Sequence, residues 1–180
     1  MSRVGPEPLD WDRLAAGADC PFDAPYETPN DYWEPIADLE VSTLCLMTNQ
    51  AYRGHCILIY TPAHVTRPDE LDSSQWAVFT QDLHLATRAL VELCRPDHIN
   101  VACQGNVIPH LHWHIVPRYK SDPRWGAPHS MTHMEEMAYV PLAPLERGRL
   151  IADLCERLET LRSQLEPVDR SGGRSSTAHS

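Results

Sequence analysis

A chain of 180 residues, 42% of them hydrophobic, suits one domain with a substantial core, and a formal net charge of -10 excludes a broadly basic, nucleic-acid-binding surface. Any anion site must therefore be local. Met1 to Asp12 holds prolines and acids where a signal peptide needs a basic and then an apolar stretch. No apolar run approaches the ~20 residues of a membrane span, so a cytoplasmic protein with no membrane partner is expected.

Residues 1–38 read as an irregular N-terminal wrap, because prolines at 6, 8, 21, 25, 29 and 35 interrupt any long helix. Leu9 to Ala16 is the one stretch there that suits a short helix, and Trp11, Phe22, Tyr26, Tyr32 and Trp33 suit packing against a domain. Val41 to Thr48 and His55 to Thr61 are rich in β-branched and large apolar residues, which predicts two strands joined by a turn. Asp72 or Ser73 should cap a helix in which Trp76, Phe79, Leu83, Ala86, Leu90 and Leu93 recur at alternating spacings of three and four. Arg95-Pro96 ends it. Ile99 to Cys103 and Leu111 to Val116 are further strands, joined through Gln104 to Pro109. Tyr119 to Tyr139 has no periodicity and reads as a loop folded over a site. Leu145 to Leu165 forms a second amphipathic helix, with Leu150, Leu154, Leu158, Leu161 and Leu165 as its apolar stripe. The expected domain is thus 39–166, an α+β unit with helices on an antiparallel sheet, followed by a disordered polar tail at 167–180. Of the six cysteines, Cys20, Cys45, Cys56, Cys94, Cys103 and Cys155, four lie inside apolar runs, a pattern of reduced thiols and not of a disulfide framework.

The stretch that carries chemistry is His110-Leu111-His112-Trp113-His114-Ile115-Val116. On an extended strand alternate residues share a face, so the three imidazoles line up about 6.7 Å apart while Leu111, Trp113 and Ile115 enter the core. Histidines so arranged serve either a metal or a phosphate. Arg118, Lys120 and Arg124 follow, against a lone Asp122. Cations beside imidazoles attract a phosphate and repel a metal ion.

His-φ-His-φ-His-φ-φ, with φ apolar, resembles the signature of the histidine triad (HIT) family, and Pro117-Arg118 continues it. The resemblance extends upstream to Tyr52-Arg53-Gly54-His55-Cys56-Ile57-Leu58-Ile59 and His64, and covers about residues 40 to 130 with Gln104-Gly105-Asn106 and Asp122 to Gly126. It implies a HIT-like fold, an antiparallel sheet of about five strands with two main helices. It also implies hydrolysis or transfer at the α-phosphate of a purine nucleotide conjugate, such as a dinucleoside polyphosphate or a nucleoside phosphoramidate. The competing expectation is a catalytically weak nucleotide-binding protein on the same fold.

By that resemblance His112 is the nucleophile, with its second ring nitrogen held by the His110 carbonyl, while His110 and His114 hold the tautomer and donate protons. His55, Gln104 and Asn106 are placed near the phosphate. Asn49, or Thr48 in its stead, falls near the ribose position, Arg118 is a candidate for neutralising phosphate charge, and Trp125 is a candidate cover. Val107-Ile108-Pro109 stands where many members carry a hydroxyl or amide just before the triad. Many also carry Cys-x-x-Cys upstream as ligands of a structural zinc. Cys20-Pro21-Phe22-Asp23 has a carboxylate in the second place, and with His64 and His110 as partners it makes a weak zinc site, so no metal and no cofactor are expected. A homodimer is expected, because paired domains in this family commonly join their sheets. Trp76 and Phe79 are its candidate anchors.

Overall fold

The computed structural model describes residues 10–27, 30–122, 124–128 and 139–164. The expected tail at 167–180, and His129 and His133 of the loop after the triad, lie outside the described residues.

The elements run α1 (Trp11–Ala15), β1 (Trp33–Asp38), β2 (Ser42–Met47), β3 (Cys56–Tyr60), α2 (Ser73–Cys94), β4 (His98–Cys103), β5 (His112–Arg118) and α3 (Pro144–Gln164), with a 3-10 turn at Pro68–Glu70. The strands form one five-stranded antiparallel sheet in the order β1-β2-β3-β5-β4. The expected α+β architecture with two long helices is therefore present.

One strand differs from the reading above. Trp33–Asp38 was assigned to the irregular N-terminal segment because it contains Pro35, yet it pairs with β2 as the outer strand of the sheet, with a register shift between Pro35 and Ala37. A proline lacks the amide that an interior strand must donate on both sides. An edge position and a bulge both remove that requirement.

Both faces of the sheet are covered, which explains why β3 is a continuous apolar run. Leu44, Leu46, Cys56, Leu58, Tyr60 and Ile115 face α2 and α3, where Phe79, Ala86, Leu90, Leu154, Leu158 and Leu161 complete the main core. Cys45, Ile57 and Ile59 point the other way, into a second cluster with Leu14, Cys20, Phe22 and Trp33 from the N-terminal segment. The prolines upstream thus shape a cover and not a free arm. Trp113 lies among Trp76 and Phe79, with ring centroids 5.9 and 6.2 Å away, so the strand alternation sends it to the helical side and its histidine neighbours to the other.

Helix α2 is capped as expected. The Asp72 carboxylate accepts from the amides of Ser74 and Gln75, and Gln75 returns a bond to the Asp72 amide. Arg95 ends the helix in the left-handed region at φ 46°. Phe79 is fully buried, which corrects its proposed place as a dimer anchor: it is core.

The turn between β2 and β3 is built around Gln50 and Gly54. The Gln50 amide group donates to the carbonyls of Met47 and His55, and its oxygen accepts from the Gly54 amide at 2.7 Å. Gly54 has φ +86°, and a Cβ there would sit 3.0 Å from both Cys94 Sγ and Pro117 Cγ. Only glycine meets both conditions, and the turn it permits delivers His55 to the triad.

Candidate active site

Strand β5 lies between β3 and β4, with His114 opposite Ile57 and Ala102, and His112 opposite Ile59. All three triad histidines are buried on the side covered by the N-terminal segment. His110 sits just before the strand, in a tight turn where its amide donates to the Ile108 carbonyl at 2.8 Å.

Hydrogen-bond logic assigns the tautomers. His112 Nδ1 is 2.6 Å from the backbone carbonyl of His110. A carbonyl only accepts, so Nδ1 carries the hydrogen and Nε2 of a neutral ring carries a lone pair. His112 Nε2 lies 3.2 Å from His114 Nε2, which must then donate. That leaves His114 Nδ1 to accept from His55 Nε2 at 3.1 Å. Burial is the main cause of a His112 pKa lowered to about 4, against which the bond to the His110 carbonyl is a smaller, opposing influence. His112 is accordingly neutral near pH 7. The arrangement presents one nucleophilic nitrogen beside one N–H donor, which is the equipment for attack on phosphorus with a proton at hand.

His55, expected near the triad, is fully buried and joined to it through His114. His110 contributes its carbonyl to His112, but its ring turns elsewhere. Its Nε2 donates to the Tyr60 carbonyl at 2.6 Å, and its Nδ1 faces Cys20 Sγ at 3.5 Å and Asp23 Oδ1 at 3.2 Å.

Three other candidates are committed to holding the fold. Arg118 is buried, and its guanidinium donates to Asp122, to Asn100, and to the carbonyls of Ala127 and Arg124, while stacking on the Tyr52 ring at 4.9 Å. It clamps the 119–127 loop, which corrects its reading as a phosphate ligand. Asn49 Oδ1 accepts from the amides of Ala51 and Val140, so the oxygen expected to meet a ribose hydroxyl is already a turn acceptor. Thr48 in turn donates to the Asp31 carbonyl. Gln104 is half-buried and Asn106 exposed in the loop entering β5, where the Gly105 carbonyl accepts from Trp11 Nε1. Trp125 is exposed on the clamped loop.

Residues that the sequence reading passed over complete the wall around the nucleophile. Phe22 meets the His112 ring edge to face at 5.0 Å and the His110 ring at 5.9 Å, and packs on Trp33 at 5.0 Å. Ile108 joins the same cluster, so Val107-Ile108-Pro109 supplies apolar wall where a polar donor was the comparison. The visible signal for Phe22 was its position inside Cys20-Pro21-Phe22-Asp23.

The donor atoms of Cys20, Asp23, His64 and His110 all lie within 4.8 Å of one another. One thiol, two imidazoles and one carboxylate form a donor set that zinc accepts. His64 Nε2 is also buried without a hydrogen-bond partner among the described residues. The residues present therefore fit a metal of this class, and the expectation of none, which rested on Asp23 standing in for a thiolate, is reopened. Such an ion would cross-link chain segments. The nucleophilic nitrogen is not among the donors.

Residues 34–121 match the HIT domain family. A bis(5'-adenosyl)-triphosphatase from Saccharomyces cerevisiae is 33% identical over 72 residues, which is 37% of this chain and 35% of that protein. The match thus spans about a third of the curated relative. Among solved structures, a histidine triad protein from Bradyrhizobium japonicum superposes with a TM-score of 0.64 at 25% identity, covering 70% of this chain and 90% of that one. A zinc-bound histidine triad family protein from Mycobacterium smegmatis shares the fold with a TM-score of 0.58 at 21% identity, covering 82% of this chain and 98% of that one. With the domain match, the fold and the three histidines in register on β5, the chain is a member of the histidine triad family.

Proposed function

We propose that this protein is a nucleotide hydrolase or nucleotidyl transferase that acts at the α-phosphate of a purine nucleotide conjugate through a nucleotidyl-histidine intermediate. The observation that carries the proposal is the 2.6 Å bond from His112 Nδ1 to the His110 carbonyl, which leaves a lone pair on Nε2 beside the His114 N–H. The name of the yeast relative, a bis(5'-adenosyl)-triphosphatase, supports a dinucleoside polyphosphate as one substrate type.

In the first step His112 Nε2 forms a bond to the α-phosphorus as the bond to the leaving group breaks. The hydrogen on His114 Nε2, released from His112, is then free to bind a phosphoryl oxygen or to protonate the departing atom. Because Val107, Ile108 and Pro109 have no side-chain donor, His114 is the proton source nearest the reacting nitrogen. In the second step water forms the new P–O bond, the P–N bond breaks, and His112 returns to its neutral state with a nucleoside monophosphate released. His55, bonded to the far nitrogen of His114, keeps that ring's hydrogen turned toward His112.

The test is a panel of adenylated and guanylated phosphoramidates, dinucleoside polyphosphates and nucleotide sugars, with products identified by mass. A nucleoside monophosphate carrying one solvent oxygen is expected. Retention of AMP by the purified protein without turnover of any compound would favour the binding-protein alternative.

The assembly proposed is a homodimer joined at β4. This strand is the outer one on the triad side of the sheet, and Val101 on it is exposed. A two-fold axis there would pair one open edge of each copy. Light scattering at micromolar concentration should give twice the 20.4 kDa chain mass, and a monomer mass would reject the dimer.

A further inference from the structure

The turn Cys20-Pro21-Phe22-Asp23 brings two possible ligands and one aromatic wall to the same place. Cys20 and Asp23 face His110 Nδ1 and, through Asp23 Oδ1, His64 Nδ1 at 2.9 Å. Phe22, between them in sequence, rests edge-on against the ring of His112. We propose that Cys20, Asp23, His64 and His110 bind one divalent transition metal of the zinc class, and that the ion clamps this turn so that Phe22 is held against His112.

The geometry around His110 is the first support. Its Nε2 donates to the Tyr60 carbonyl at 2.6 Å, the outer-shell contact that fixes a ligating histidine's tautomer. In the neutral ring Nδ1 then offers a lone pair, and it points at a sulfur and a carboxylate oxygen that are themselves electron-pair donors. A cation at their common centre turns that crowding into attraction. The charge balance agrees. As the metal–sulfur bond forms, the Cys20 thiol releases its proton to solvent, and one thiolate with one carboxylate offsets a dication, leaving no net charge in a largely buried pocket.

Asp23 decides how firmly the ion is held. A site with one thiolate, two imidazoles and one carboxylate stays open to zinc and cobalt but binds more weakly than one with a second thiolate. The clamp therefore responds to metal supply. Only the bearing of Phe22 on turnover rests on the reading of His112 as nucleophile.

The experiment uses the full-length protein, stripped with a chelator and titrated with Co(II) and then Zn(II). One equivalent of cobalt per chain is expected, with the visible bands of a four-coordinate ion and a near-ultraviolet thiolate-to-cobalt band, all displaced by zinc. Cys20→Ser should lose the near-ultraviolet band. Asp23→Cys should intensify it and tighten binding by at least about tenfold, a gain that a damaged fold cannot produce. Hydrogen exchange over residues 10–27 reads the clamp: zinc should slow it by about tenfold or more in the native protein and leave Cys20→Ser unchanged. Failure to bind cobalt, or a near-ultraviolet band that survives Cys20→Ser, overturns the site and leaves the cluster as an aspartate–imidazolium ion pair. Binding without slower exchange overturns the clamp. Neither readout involves nucleotide, so a failed function reading leaves both outcomes interpretable.

Discussion

Replacing His112 with asparagine is expected to lower the turnover number by at least about a thousandfold, roughly 4 kcal/mol of barrier, while nucleotide affinity stays within about threefold. The asparagine amide can still donate to the His110 carbonyl that His112 Nδ1 meets at 2.6 Å, so the local fold has a substitute for its bond. What it cannot supply is the ring nitrogen lone pair. Burial keeps that lone pair unprotonated in the native protein by holding the His112 pKa near 4, and no neighbour can take over the role. His114 is pinned between His112 and His55, with its Nδ1 occupied. Kinetics on the best compound of the panel give the loss in turnover number. Mass measurement of acid-sensitive adducts gives the mechanism, because native protein quenched during turnover should carry one nucleotidyl group and the variant none. Native-like turnover in the variant would sink the covalent route.

The triad was legible because a period of two is simple and survives folding: histidines at 110, 112 and 114 had to share a face wherever the strand was placed. The same rule sent Trp113 to the helices. The partners of those histidines were less legible, since contacts such as His55 to His114 and Cys20 to His110 join residues 59 and 90 positions apart. Only the family resemblance brought His55 near the triad in advance. Strand β1 was hidden by Pro35, whose local meaning is breakage until a neighbouring strand shows it to be an edge. Phe22 was hidden for a related reason. An aromatic in a proline-rich segment says that the segment packs, but not which ring it packs upon.

Arg118 shows how a locally correct pattern can mislead. Its position after the triad, in a basic run within an acidic chain, suggested a phosphate ligand, and it does share the triad's face of β5. Yet it stands four residues beyond His114, about 13 Å along the strand, and every arm of its guanidinium is already in use. Arg118→Ala is therefore expected to act on stability. It leaves the carboxylate of Asp122, whose side chain is only 9% exposed, without its cation, and it unties the carbonyls of Arg124 and Ala127. Breaking a buried pair in this way costs about 3–5 kcal/mol, which for a chain of this size lowers Tm by roughly 10 °C. Arg118→Lys separates the two readings. A lysine keeps the charge but is a point donor that cannot reach a carboxylate, an amide oxygen and two carbonyls from one plane, so most of the stability loss should remain. AMP affinity in the folded lysine variant should change by less than about threefold. Urea denaturation and calorimetric AMP titration on both variants check this together. A lysine variant as stable as the native protein but at least about tenfold weaker for AMP would restore Arg118 to the phosphate site and require the 119–127 loop to be held by something else.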